Sequence, residues 1–121
     1  MIKKEKLDAK QFYRSILTLK TEEECATFFE DICTFQEVEA LVQRLEVAIQ
    51  LSEGKSYIDV NKSTGASTAT ISRVNKALTY GNGGYKTVIE RLQNNDNWPE
   101  HFKIWRKGYF YPQKSIFKLW L

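Results

Sequence analysis

Apolar residues recur along this chain at helical intervals, and polar residues that end or begin helices separate the runs. Asp8 is placed to cap a first helix in which Phe12, Ile16 and Leu19 share a face. Thr21 with Glu24 reads as a capping box, in which hydroxyl and carboxylate satisfy free backbone N–H groups reciprocally. Behind it Cys25, Phe28, Phe29, Ile32 and Cys33 have the i, i+3, i+4, i+7, i+8 spacing of one buried stripe. Thr34 with Glu37 repeats the box. It opens a longer stripe through Val38, Leu41, Val42, Leu45 and Ile49, with Leu51 at its end and Gly54 as terminator.

Three shorter segments complete the pattern. Ser56 caps a helix that runs toward Thr64 and stops at Gly65. Ser67 caps the next, which carries Ile71, Val74 and Leu78 to Gly81. A hinge of Gly81-Asn82-Gly83-Gly84 precedes a last amphipathic helix with Tyr85, Val88, Ile89 and Leu92, which frays into Gln93-Asn94-Asn95-Asp96-Asn97. Strict alternation never coincides with β-branched runs, so an all-α fold is expected. Its domain is placed at 1–97. Residues 98–121 form a separate extension holding all three tryptophans, five Lys/Arg and one acid. Pro99, Gly108 and Pro112 interrupt it. Packing of its aromatics on the body or a partner subunit is the favoured reading, ahead of added phosphate contacts or an interfacial segment.

The segment 56–80 has the layout of a helix-turn-helix. A steep crossing of two short helices needs a sharp turn, and Gly65 enters left-handed backbone without steric cost. Val60, Ile71 and Val74 are spaced to hold the pair together. Ser67, Thr68, Ala69, Ser72, Arg73 and Lys76 are left facing outward: small, hydroxylated or basic, with no carboxylate to repel phosphates. With Tyr57 and Lys62 on the first helix, they are the candidate DNA-binding residues. An ordinary helix hairpin with serines chosen for capping is the competing reading.

Charge favours the first. Residues 1–54 hold seven Lys/Arg and eleven Asp/Glu, a balance of −4, whereas residues 55–121 hold eleven and four, a balance of +7. The half with the proposed reading head is the basic one, suited to an anionic partner. At 121 residues the chain has room for one domain, which alone buries only about two-thirds of its unfolded surface. Dimerisation would bury more.

Other chemistries find little support. Cys25 and Cys33 are eight residues apart on one helix, too far for a bond between them, and are expected as buried free thiols in a reducing compartment. His101 is the only histidine, so neither a zinc site nor a nucleophile–base pair is suggested, and no cofactor is implied. No catalytic carboxylate pair or phosphate loop is evident. The start MIKKEKLDAK leads into no apolar signal core, and no run is long enough for a bilayer, so no membrane association and a cytoplasmic protein are expected. The reading is of a DNA-binding protein and not an enzyme. The alternative is a helical dimeric protein-interaction module whose reading head no longer binds DNA.

The run Gly65-Ala66-Ser67-Thr68-Ala69-Thr70-Ile71-Ser72-Arg73, with Gln43-Arg44-Leu45-Glu46-Val47-Ala48 and Glu53-Gly54-Lys55, closely resembles the tryptophan repressor family, nearest its YerC/YecD-like branch. The similarity covers roughly residues 7–92. It implies six helices, an intertwined homodimer whose reading heads contact double-stranded DNA one turn apart, and transcriptional repression. It also implies a small-molecule effector site: Arg44 and Arg73 match two arginines that flank the corepressor, and Thr70 a threonine near it. Val74 stands where the repressor has a glycine that leaves room for indole, and Ala77 where it has a serine that bonds the ligand's ammonium. These departures disfavour tryptophan and leave a different effector, or none. Arg44 is equally open to an ion pair with Glu37 or Glu39, or to simple solvation.

Overall fold

A computed structural model describes residues 6–94. They form six α-helices: α1 (Ala9–Leu17), α2 (Glu22–Ile32), α3 (Phe35–Ser52), α4 (Tyr57–Thr64), α5 (Thr68–Tyr80) and α6 (Gly84–Gln93), with no strand among the described residues. The expected extension at 98–121, its aromatic packing, and His101 lie outside the described residues. The described residues divide into two compact units, one ending at Val38 and the other beginning at Glu39.

In the first unit the helix starts follow the sequence closely. The Lys10 N–H donates to Asp8 Oδ1 at 3.0 Å. The Glu24 N–H donates to Thr21 Oγ1 at 3.1 Å, while the Glu24 carboxylate accepts from the Lys20 N–H at 3.3 Å, one residue earlier than the reciprocal box requires. At α3 the box is complete: the Thr34 N–H donates to Glu37 Oε1 at 2.8 Å and the Glu37 N–H to Thr34 Oγ1 at 3.2 Å. The Thr34 backbone N–H on the carboxylate, and after it the Thr34 side-chain hydroxyl, favour the ionised form and hold the Glu37 carboxyl below its ordinary value of 4.5.

The apolar stripes of this unit are not buried as the periodicity suggests. No residue of α1 or α2 is fully buried. Phe12 meets Phe28 at 6.4 Å and Phe28 meets Phe29 edge-on at 5.7 Å, a small aromatic cluster. Ile32 is nevertheless 53% exposed and Leu17 83%. Cys25 and Cys33 are free thiols, half-buried rather than buried. Helical spacing reports that a face is apolar; it does not say that the same chain covers it.

The second unit holds the core. Val47, Ala48, Ile49, Val60, Ala66, Ile71, Val74 and Ile89 are buried, with Leu45, Leu51, Leu78 and Tyr85 packed against them. Five consecutive residues of α3, Glu46 to Gln50, are buried together, so this stretch is enclosed on all sides instead of along one stripe. Leu41, expected in the stripe, is 45% exposed. After α3, Gly54 takes φ 84°, and the Lys55 N–H turns back to the Gln50 carbonyl at 3.1 Å. Gly81 ends α5 differently from Gly65, in extended backbone. A Cβ there would stand 2.3 Å from the Ala77 carbonyl oxygen, so only glycine fits the close approach.

The Thr34–Glu37 box should make stability depend on pH in one direction. Because the folded pKa is lowered, the contribution is complete above the ordinary value and lost as pH falls through the lowered one. Urea denaturation of wild type and Glu37→Gln below pH 5 measures it. The stability difference should shrink on acidification, and a gap that stays constant would show that the box contributes no pH dependence.

Candidate nucleic-acid interface

The turn between α4 and α5 is built from backbone geometry upward. Gly65 lies at φ 72°, ψ 5°, and its N–H bonds the Asn61 carbonyl at 2.9 Å. An L-residue with a Cβ is disfavoured in this region by roughly 1–2 kcal/mol. Two side chains latch the turn. Asn61 Nδ2 donates to the Ala66 carbonyl at 2.7 Å, and the Ala66 N–H donates to Thr64 Oγ1 at 3.1 Å. Neither latch was evident from the sequence; an Asn and a Thr shortly before a turn glycine are the only signal for them. Beneath the turn Val60, Ala66 and Ile71 are wholly buried and Val74 is 2% exposed. This is the cluster the spacing predicts, with Ala66 added.

Both helices begin on serine caps. The Ser56 hydroxyl accepts from the Asp59 N–H and Ser67 from the Thr70 N–H, each at 3.2 Å. Ser67 and Thr70 also exchange a hydroxyl bond at 3.1 Å. Around α5, Thr68, Ala69, Ser72 and Lys76 fall within about 100° of arc, opposite Ile71 and Val74. Thr68, Ala69, Arg73 and Lys76 are exposed, as are Ser67 at the cap and Tyr57 and Lys62 on α4, whereas Ser72 is half-buried. Lys62 has an interaction partner within the chain. The sequence of α5 carries no acid from Thr68 to Tyr80, so its exposed face offers hydroxyls, methyls and two cationic groups beside a helix N-terminus.

Arg73 stands at the border of a second feature. A cleft of about 270 Å³ opens between α3, α5 and α6, with Arg44 on one wall, Ala69, Thr70, Arg73, Val74 and Ala77 on another, and Tyr85 on the third. Arg44, Thr70 and Arg73, singled out in the sequence, therefore meet in one place, and Tyr85, which the sequence reading gave only a core role, joins them. Val74 serves as core and as cleft wall, and space remains beside it. Among the described residues no wall of the cleft carries a carboxylate, and neither Arg44 nor Arg73 makes an ion pair. Of the alternatives for Arg44, the salt bridge to Glu37 or Glu39 is not formed, and simple solvation stands, since the residue is exposed.

The fold and this turn define an all-helical protein with a helix-turn-helix. Comparison with known proteins gives its family. The profile of the Trp repressor protein family matches residues 7–93. The uncharacterised protein YerC of Bacillus subtilis (strain 168) is 50% identical over 86 residues, covering 71% of this chain and 83% of YerC. A TrpR-like protein from Eubacterium eligens ATCC 27750 is 53% identical and superposes with a TM-score of 0.68, over 70% of this chain and 88% of that one. A Staphylococcus aureus protein described as a candidate Trp repressor is 42% identical with a TM-score of 0.68, over 71% and 86%. The chain belongs to the Trp repressor family, a family of helix-turn-helix DNA-binding regulators and not of enzymes. Among the described residues no helix is long and apolar enough to cross a membrane, and no cluster of His, Cys, Asp and Glu could hold a metal.

Proposed function

We propose that this protein is a cytoplasmic, dimeric, sequence-specific repressor of transcription that reads double-stranded DNA with the N-terminal half of α5. The observation that carries the reading is the acid-free, hydroxyl-rich and basic face of α5, presented by the left-handed turn at Gly65. Thr68, Ala69 and Ser72 are short enough to let the helix end approach base edges. Arg73 and Lys76 reach bases or phosphates, and Ser67, Tyr57 and Lys62 meet the backbone. Dimerisation is supported by apolar residues that the described part of the chain leaves uncovered: Leu17, Ile32 and Leu41 are between 45% and 83% exposed. A twofold dimer would place two reading heads on two half-sites about one helical turn apart.

The cleft is read as the effector site. Two guanidinium groups, the Thr70 hydroxyl and the Tyr85 ring suit a small anion with a flat apolar part. Val74 and Ala77 supply neither the room for indole nor an acceptor for an ammonium group, so an anion other than tryptophan fits better.

Both parts are testable. Selection from random duplexes, followed by fluorescence anisotropy at a stated salt concentration, should yield a preferred sequence. Arg73→Ala should weaken binding to it by about 1–3 kcal/mol if the residue reads a base. Lys62→Ala should weaken selected and scrambled duplexes alike and reduce the salt slope by about one unit. Absence of any preferred sequence would rule the regulator reading out. For the effector, a calorimetric screen of small carboxylates and phosphates should find a ligand bound by wild type and lost in Arg44→Ala. Equal binding by both proteins would remove the cleft from the account.

A further inference from the structure

The packed side of α3 carries polar side chains, two of them within its enclosed stretch, where apolar ones would be expected. Gln43, Glu46 and Gln50 stand at i, i+3 and i+7, on one side of the helix with Val47. Glu46 and Gln50 are 9% and 4% exposed. Burying an amide and a carboxylate is unfavourable unless each is hydrogen-bonded, and here they are. Gln50 Nε2 donates to Glu46 Oε1 at 3.0 Å, and the Ser63 hydroxyl donates to Gln50 Oε1. Two turns earlier Gln43 Nε2 donates to the Thr64 carbonyl at 3.2 Å. That carbonyl is one of the last four of α4, which lack partners inside their own helix.

Ser63 and Thr64 are adjacent, the final two residues of α4, immediately before Gly65. Gln43 and Gln50 are seven residues apart, or about 10 Å along α3. Two amides therefore grip one point of α4 from two places on α3. Apolar contact is non-directional and tolerates sliding and rotation. A pair of hydrogen bonds with separate distance and angle requirements does not. Buried polar groups seldom add stability over apolar groups of similar size, and their clearest use is to select one arrangement among several.

We propose that Gln43 and Gln50 are positioning residues of the reading head. They form a polar clamp that fixes the angle and height of α4 on α3 and, through the Gly65 turn, the pose of α5. Its effect on DNA selectivity rests on the reading of α5 as the DNA-reading helix. The clamp itself does not.

The variants are Gln43→Met, Gln50→Met and Ser63→Ala, with Ser63→Thr as the conservative control that keeps the hydroxyl. Two properties are measured on the full chain: hydrogen exchange at the Gly65, Ala66 and Ile71 amides, all hydrogen-bonded in the fold, and the ratio of selected to scrambled duplex binding at one salt concentration. The three bond-deleting variants should keep their helical circular dichroism. Their turn amides should exchange roughly three- to tenfold faster, the equivalent of one net hydrogen bond. The duplex ratio should fall by a similar factor, because phosphate-only binding does not need a defined pose. Ser63→Thr should restore both. Unchanged exchange in folded Gln43→Met and Ser63→Ala would overturn the clamp. These two milder variants decide the matter if Gln50→Met fails to fold. A wild type without sequence preference would refute the DNA reading and leave hydrogen exchange to judge the clamp.

Discussion

The second unit is organised around one residue in left-handed backbone. At φ 72° Gly65 stops α4 within a single residue, and Ser67 starts α5 two residues later. The two helices can then cross steeply and share Val60, Ala66, Ile71 and Val74 as a common core. The amide and hydroxyl latches of Asn61 and Thr64 keep the intervening backbone polar groups bonded. The face that this leaves outward on α5 is a consequence of the turn. With Ile71 and Val74 fixed inward, Thr68, Ala69, Ser72 and Lys76 have one direction left.

What the sequence made legible was local. Asp8, Thr21, Thr34, Ser56 and Ser67 each began a helix because a cap acts over three residues, and Gly54 and Gly65 each ended one for an equally local reason. The meeting of Arg44, Thr70 and Arg73 followed from family resemblance and not from spacing, since nothing in a pattern of periods brings residues 44 and 73 together. The enclosure of Glu46, Val47, Ala48 and Gln50 was missed for the same reason. It depends on contacts with residues from 60 onward, and a Glu and a Gln in a stripe read as solvent-facing until their partners are known. Ile32 and Leu41 erred in the other direction: their periodicity marks an apolar face, but the described residues do not cover it.

The cleft shows how one substitution can carry two consequences. Val74 fills the space under α5 and so contributes to the core, and the same isopropyl group trims the cleft that Arg44 and Arg73 flank. Arg73 lies where the cleft and the outward face of α5 meet. Under the proposed function, a ligand that drew its guanidinium inward would remove it from the DNA side and one that propped it outward would present it, which would couple occupancy and DNA contact through a single side chain.

The central claim is that the first half of α5 meets a duplex groove, and amide chemical-shift mapping of the folded protein against its selected duplex tests it most directly. The account predicts saturable shifts concentrated on Ser67 to Lys76, with smaller ones on Tyr57 and Lys62. Shifts confined to the first unit, or to the core face through Ile71 and Val74 with Thr68 and Ala69 undisturbed, would contradict it.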